Sequence, residues 1–202
     1  DGTTLKAPLR AAGIRAERAP DQSVTNLQFN MRDATLGGFA PAQVALRRAI
    51  AMAIDDAAWL RTFDQGVGTL RQHVIAPGAA GYDPAYRNPN AYNPATANAL
   101  LDRMGYKRGA DGWRRRPDGS PLELRMINGV TSESRRLAEF MKRSLNAISI
   151  RLDFDSMPGG DRIRQMSTCQ YQMTTMGFGG GPPDEAAAMG NFYSPGIGTV
   201  NL

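Results

Sequence analysis

Between Leu27 and Asp55 the spacing of the apolar residues changes once, and that change sets what the chain can build. Leu27, Phe29 and Met31 alternate, the pattern of a strand with one face buried. A polar stretch with Gly37 and Gly38 follows, and then Val44, Ala45, Ala49, Met52 and Ala53 recur at helical spacing. Pro41 suits the first turn of that helix, where a missing N–H costs nothing. Asp55 reads as the N-cap of a further helix over 56–63. A strand feeding helices through a short loop is the elementary step of an α/β domain.

The rest of the chain repeats that step. Residues 1–26 read as irregular, with a short helix from Leu5 stopped by Gly13 and an extended piece from Ile14 to Ala19. Gln65 to Pro77 is punctuated by glycine and reads as surface loop. Asn93 and Pro94 open a helix whose stripe is Ala97, Leu100, Leu101 and Met104, and Gly105 ends it. Asp111 to Pro121 reads as a hairpin with Asp118-Gly119 at its tip. Leu122, Leu124 and Met126 alternate, Asn128 to Ser132 forms a polar turn, and Ser132 or Ser134 caps a helix bearing Leu137, Phe140, Met141 and Leu145. Ile150, Leu152 and Phe154 alternate again, so this strand–helix–strand unit predicts a right-handed parallel crossover. A helix over 161–167 and a strand over 171–176 complete the pattern.

Composition narrows the function. With 202 residues, 42% hydrophobic and 21% charged, the chain suits one well-buried domain, and no apolar run reaches membrane-spanning length. Asp1 opens without a basic-then-apolar leader, as a mature secreted chain or an excised domain would. The net charge of +5 raises nucleic acid as a partner. The arginines are scattered, with 114–116 the longest run, and lack the dense stripe and interleaved aromatics of a nucleic-acid surface; they read as solvated helix faces. Cys169 and His73 each stand alone, which removes an internal disulfide, a Cys- or His-cluster metal site and a His-dependent triad. Phe29, Trp59 and Phe63 read as core, and Trp113 as a lid packed on the sheet.

Catalytic motifs are missing too. There is no G-x-S-x-G elbow, no H-E-x-x-H and no Walker-A loop. The run from Gly177 to Pro183, GFGGGPP, lacks the Lys-Ser/Thr of a phosphate cradle, and its two prolines oppose a helix with N–H groups aimed at phosphate.

Three stretches carry a family resemblance: LQFN with LRRAIAMAID, YNPATANALLDRMGY, and GFGGGPPDEAAAM. Together they resemble the family 5 extracellular solute-binding proteins, the peptide- and oligopeptide-binding components of bacterial ABC importers. The resemblance covers about residues 24 to 195. In the family a glycine stands at the junction into the strand at Ile150; here Ser149 takes its place. The implied fold is α/β, a mixed β-sheet flanked by helices, lobe II of a two-lobed periplasmic binding protein. Residues 1–26 would be the crossover from the first lobe, and residues 27–202 the second.

The resemblance also implies a site. In the family a Gly-aromatic motif with a nearby acid ends a strand at the cleft, and it falls here on Gly177, Phe178 and Gly179. The acid that pairs with a peptide α-ammonium falls on Gly181, so Asp184 would replace it only if the loop folds back. Dipeptide-binding relatives place a carboxylate-binding arginine where this chain has Asn128, and Asn30 ends the first strand near the cleft. Without both ionic anchors, a longer peptide held by its backbone or a non-peptide solute is favoured over a free dipeptide. The implied function is solute capture between two lobes and delivery to ABC permease subunits, with no catalysis and no cofactor. The protein would be periplasmic, or exported and lipid-anchored at the cell surface. The rivals are a hydrolase with an unrecognised carboxylate pair, Asp184 and Glu185, and a chemoreceptor-associated binding module.

Overall fold

The structure is a computed structural model that describes residues 5–16, 24–64, 68, 70, 72, 75 and 82–178. His73, most of the loop over 65–77, and Gly179, Gly181, Asp184 and Glu185 lie outside the described residues.

Among the described residues four strands form one mixed sheet in the order β1-β4-β2-β3. They are β1 (Val24–Phe29), β2 (Glu123–Gly129), β3 (Arg151–Met157) and β4 (Met173–Phe178). β1 runs antiparallel to β4, whereas β2 is parallel to both β3 and β4. The expected parallel pairing of the strands around Leu124 and Leu152 is present. Among the described residues six helices accompany the sheet: α1 (Ala7–Ala11), α2 (Pro41–Ala53), α3 (Asp56–Phe63), α4 (Pro94–Arg103), α5 (Ser134–Asn146) and α6 (Gly159–Ser167).

Helices lie on both faces of the sheet, which carries a larger apolar core on one face and a smaller one on the other. Leu124, Met126, Leu152 and Met173 face a core built with Leu46, Ala49 and Ile50 of α2, Ala97 and Leu101 of α4, and Phe140, Met141 and Leu145 of α5. Trp59 and Phe63 of α3 close it, with their ring centroids 4.5 Å apart and 5.4 and 5.8 Å from that of Phe140. On the opposite face Ile127, Met157 and Tyr171 pack with Met166 of α6.

The caps anticipated from sequence form as hydrogen bonds. Asp55 Oδ1 accepts from Ala58 N–H at 2.9 Å, and Asn93 Oδ1 accepts from Thr96 N–H at 2.9 Å. Gly105 stops α4 with φ +86°, and Gly13 follows α1 with φ +77°. Gly119 tips the hairpin with φ +85°, and Arg115 bridges to Pro121 across it. Trp113 lies half-buried under the Arg151 guanidinium, 5.2 Å from its ring centroid.

Other expectations are corrected. The first strand begins at Val24, inside the stretch read as irregular, and stops at Phe29, so Met31 leaves the sheet. Asn30 ends it: its Oδ1 accepts from Arg32 N–H at 3.0 Å, and Asp33 Oδ1 then takes the N–H groups of Thr35 and Leu36. Asn128 and Gly129 belong to β2 and not to a turn, because both pair with β3. Neither Ser132 nor Ser134 caps α5; Glu133 occupies the cap position without a side-chain capping bond, and the Ser134 hydroxyl donates to Gly129 O. The largest departure is Arg114, read as solvated and found 1% exposed.

Candidate functional site

The strand order locates the site before any side chain is considered. From β2 the chain passes through α5 to β3 on one side, then through α6 to β4 on the other side of β2. The two crossovers pack on opposite faces of the sheet, α5 with the larger core and α6 with the smaller. Adjacent parallel strands whose connections diverge leave a crevice outside their carboxyl ends, and in open α/β sheets ligands bind there. Here that point is the junction of β2 and β4.

The junction is also where the ladder is thinnest. β2 and β4 register only through Met126 opposite Met173. Asn30 N–H donates to Gln172 O at 2.9 Å, so in the antiparallel β1–β4 pair the alternate positions, Thr175 and Gly177, turn their main-chain groups toward β2. On the other bank Val130 N–H donates to Met157 O at 3.1 Å, so Gly129 N–H faces β4.

These facing groups are met by side chains and not by each other. Asn128 Oδ1 accepts from Gly129 N–H at 2.8 Å, and Asn128 Nδ2 donates to Thr175 Oγ1 at 3.2 Å. Thr175 O accepts from Arg162 Nη2 of α6, and Thr174 Oγ1 accepts from Arg162 Nε and Nη2 at 3.2 and 3.0 Å. Thr174 is fully buried, and burial lowers the Arg162 guanidinium from its ordinary value while leaving it charged. A Cβ on Gly177 would meet only Thr25 Oγ1, at 3.8 Å, and one on Gly129 would meet nothing within 4 Å. This edge therefore presents open backbone, an amide and hydroxyls, with nearby carboxylates already paired: Asp155 to Arg125 at 2.6 Å and Asp161 to Arg164 at 2.8 Å.

Of the residues singled out from sequence, Asn128, Gly177 and the Phe178 main chain share this edge. Asn30 does not join them. It is 5% exposed at the far end of β1, and its Nδ2 donates to Cys169 O at 2.9 Å and Tyr171 O at 2.8 Å. A polar hollow of about 450 Å³ lies at that same end, bordered by Asp33, Glu123, Arg125, Asp153 and Cys169. The Phe178 ring lies outside the described residues. Thr175 and Arg162 were missed, since no motif marks them: Thr175 meets Asn128 across the junction of β2 and β4, and the packing of α6 brings Arg162 to Thr174 and Thr175. Among the described residues no group of three or more His, Cys, Asp or Glu is placed to hold a metal ion, and no helix is long and apolar enough to cross a membrane.

Comparison with known proteins identifies the family and the fold. The oligopeptide-binding protein OppA of Mycobacterium tuberculosis is 31% identical over 163 residues, 79% of this chain and 26% of that protein. The dipeptide-binding protein of Escherichia coli is 25% identical over 175 residues, 85% of this chain and 30% of that protein. A periplasmic oligopeptide-binding protein of Thermotoga maritima superposes with a TM-score of 0.74 at 20% identity, covering 94% of this chain and 37% of that one, and shows the same fold. The chain thus spans about a quarter to a third of the length of these relatives. Residues 3–199 match the middle part of the bacterial extracellular solute-binding proteins, family 5, and the chain belongs to that family.

Proposed function

We propose that this chain is the second-lobe portion of a solute-binding component of an ABC importer. It captures a peptide or other small organic solute between two lobes and passes it to the permease subunits. The observation that carries this reading is the crevice between the carboxyl ends of β2 and β4 in a chain of this family. The relatives' names support a peptide; a mannohexaose-bound structure of an oligopeptide-binding protein from Thermotoga maritima, TM-score 0.71, keeps non-peptide solutes in view. Asn128, Gly177 and Phe178, with Gly179, Gly181 and Asp184 that follow in sequence, form this lobe's side of the site. Asn30 supports it only through the fold. Residues 1–26 lead in from the first lobe, with β1 starting at Val24. The protein acts outside the cytoplasmic membrane, periplasmic or lipid-anchored, and without turnover.

Closure of two lobes over the ligand makes affinity a property of both halves. Mass spectrometry of small molecules released from the complete protein should find a bound solute, and calorimetry on the 202-residue chain alone should find weak binding or none. Tight one-to-one binding by the chain alone would overturn the two-lobe reading.

A further inference from the structure

We propose that Arg162 is the positioning residue of this site: it holds the end of β4 apart from β2 at the aperture the solute enters. The inference rests on the solute-capture reading and deepens it. Beyond Met126 and Met173, β2 and β4 no longer register, yet Gly129 N–H and Thr175 O still face the gap between them. Main-chain groups in such a place need partners, and in an ordinary ladder each strand supplies the other's. Here both are met by side chains. Asn128 takes the β2 donor and Arg162 the β4 acceptor, and the Asn128 Nδ2 to Thr175 Oγ1 bond, 3.2 Å, crosses the gap.

Arg162 suits this role by its planar fork. One guanidinium bonds both the Thr174 hydroxyl and the Thr175 carbonyl, fixing two successive residues of β4 to α6. It faces no carboxylate among the described residues, so its orientation comes from these oxygens alone. With Arg162 in place the Thr175 carbonyl is engaged from α6, which competes with the Gly129 N–H for it and opposes zipping of the ladder toward Gly129, and the main chain of Gly177 stays open at the edge. Without it, Thr175 O is free to take the Gly129 N–H, Asn128 is released, and the aperture narrows. Arg162 touches no solute in this arrangement; it acts through Thr175.

The test uses the complete protein and its variants Arg162→Met, Arg162→Lys, Thr174→Val and Asn128→Leu. Solute retained through purification is quantified by mass spectrometry, and hydrogen exchange is followed peptide by peptide without solute. Arg162→Met should retain at least tenfold less solute, with changed exchange confined to 128–130 and 174–178. Arg162→Lys and Thr174→Val should lie between it and the parent. The double variant Arg162→Met with Asn128→Leu should lose no more than the worse single, because both act on Thr175. Retention unchanged in Arg162→Met but lost in Asn128→Leu would overturn the role of Arg162 and leave the site standing. A loss of protection across the whole lobe would reduce Arg162 to a general structural residue and overturn the proposal. Retention unchanged in both single variants, or a parent protein carrying no solute, would overturn the site reading itself.

Discussion

Arg114 Nη1 donates to Asp102 Oδ1 at 2.7 Å, from a side chain with no exposed surface to one still 45% exposed. The same guanidinium bonds Ile148 O at 2.8 Å, Tyr106 O, and Asn98 Oδ1 at 2.7 Å. One residue of the hairpin thus ties the end of α4 to the turn between α5 and β3, and its charge is buried with its donors satisfied.

Replacing Arg114 by Met should therefore cost about 3 kcal/mol. The buried carbonyls of Ile148 and Tyr106 lose this donor, and each orphaned acceptor costs about 1–3 kcal/mol before relaxation, whereas Asn98 Oδ1 keeps its bond from Arg108 Nη2. Urea unfolding of the chain and variant measures the difference, and a change under 1 kcal/mol would contradict the bonding described.

Asp102 gives a pH signature. The Arg114 hydrogen bond lowers its carboxyl below the ordinary value more than burial raises it, and the charges of Arg114, Arg108 and Lys107 act in the same direction. A carboxyl lowered on folding contributes stability that is present above its unfolded value, near 4, and lost as pH falls through the folded one. Because the side chain is half-exposed, solvent screening limits that contribution to about 1 kcal/mol at most. The stability gap between the parent and Asp102→Asn should hold steady from pH 7 to pH 5 and close below pH 4; a gap that widens on acidification would refute the assignment.

Ser149 occupies φ +60°, where its Cβ is strained. Its Oγ accepts from Arg108 Nε at 2.9 Å, an exposed bond worth little. Ser149→Gly should raise stability by about 0.5 kcal/mol, the relief of strain less the lost bond and the added chain entropy. A denaturation midpoint that falls would show that the hydroxyl outweighs the strain.

Asn30 makes the opposite point. Its Nδ2 faces two carbonyls, so Asn30→Asp sets a carboxylate oxygen against both and should cost more than Asn30→Ala, by about 1–2 kcal/mol. Equal losses in thermal unfolding would mean that the two carbonyls find other donors.

Much of the scaffold was legible because its signals are local. Asn93, Pro94 and Gly105 bound α4 through contacts within a turn or so of themselves, and Asp55 caps α3 three residues away. The apolar alternation of Leu124 and Met126, and of Leu152 and Phe154, placed the parallel pair, since period-two burial needs no knowledge of partners. The end of β1 was misread because Met31 continues the alternation, while Asn30, engaged 141 residues away at Tyr171, turns the chain.

What the sequence determined by itself is therefore the kit: which segments are helix or strand, where most of them stop, and which family they belong to. What only the tertiary structure decided is how the pieces meet. Arg114 is an ordinary arginine until α4, the hairpin and β3 enclose it, and desolvation then makes its five donors indispensable. Asn128 looked like a turn residue and lies in a strand, because β3 supplies a ladder that local propensity does not encode. The gap between β2 and β4, bridged by Asn128 to Thr175 and held by Arg162, joins residues 47 apart in one case and 12 to 13 in the other across a change of element. No periodicity reports such contacts, since they arise from which way each crossover turns and from the main-chain groups that the turn leaves facing the gap.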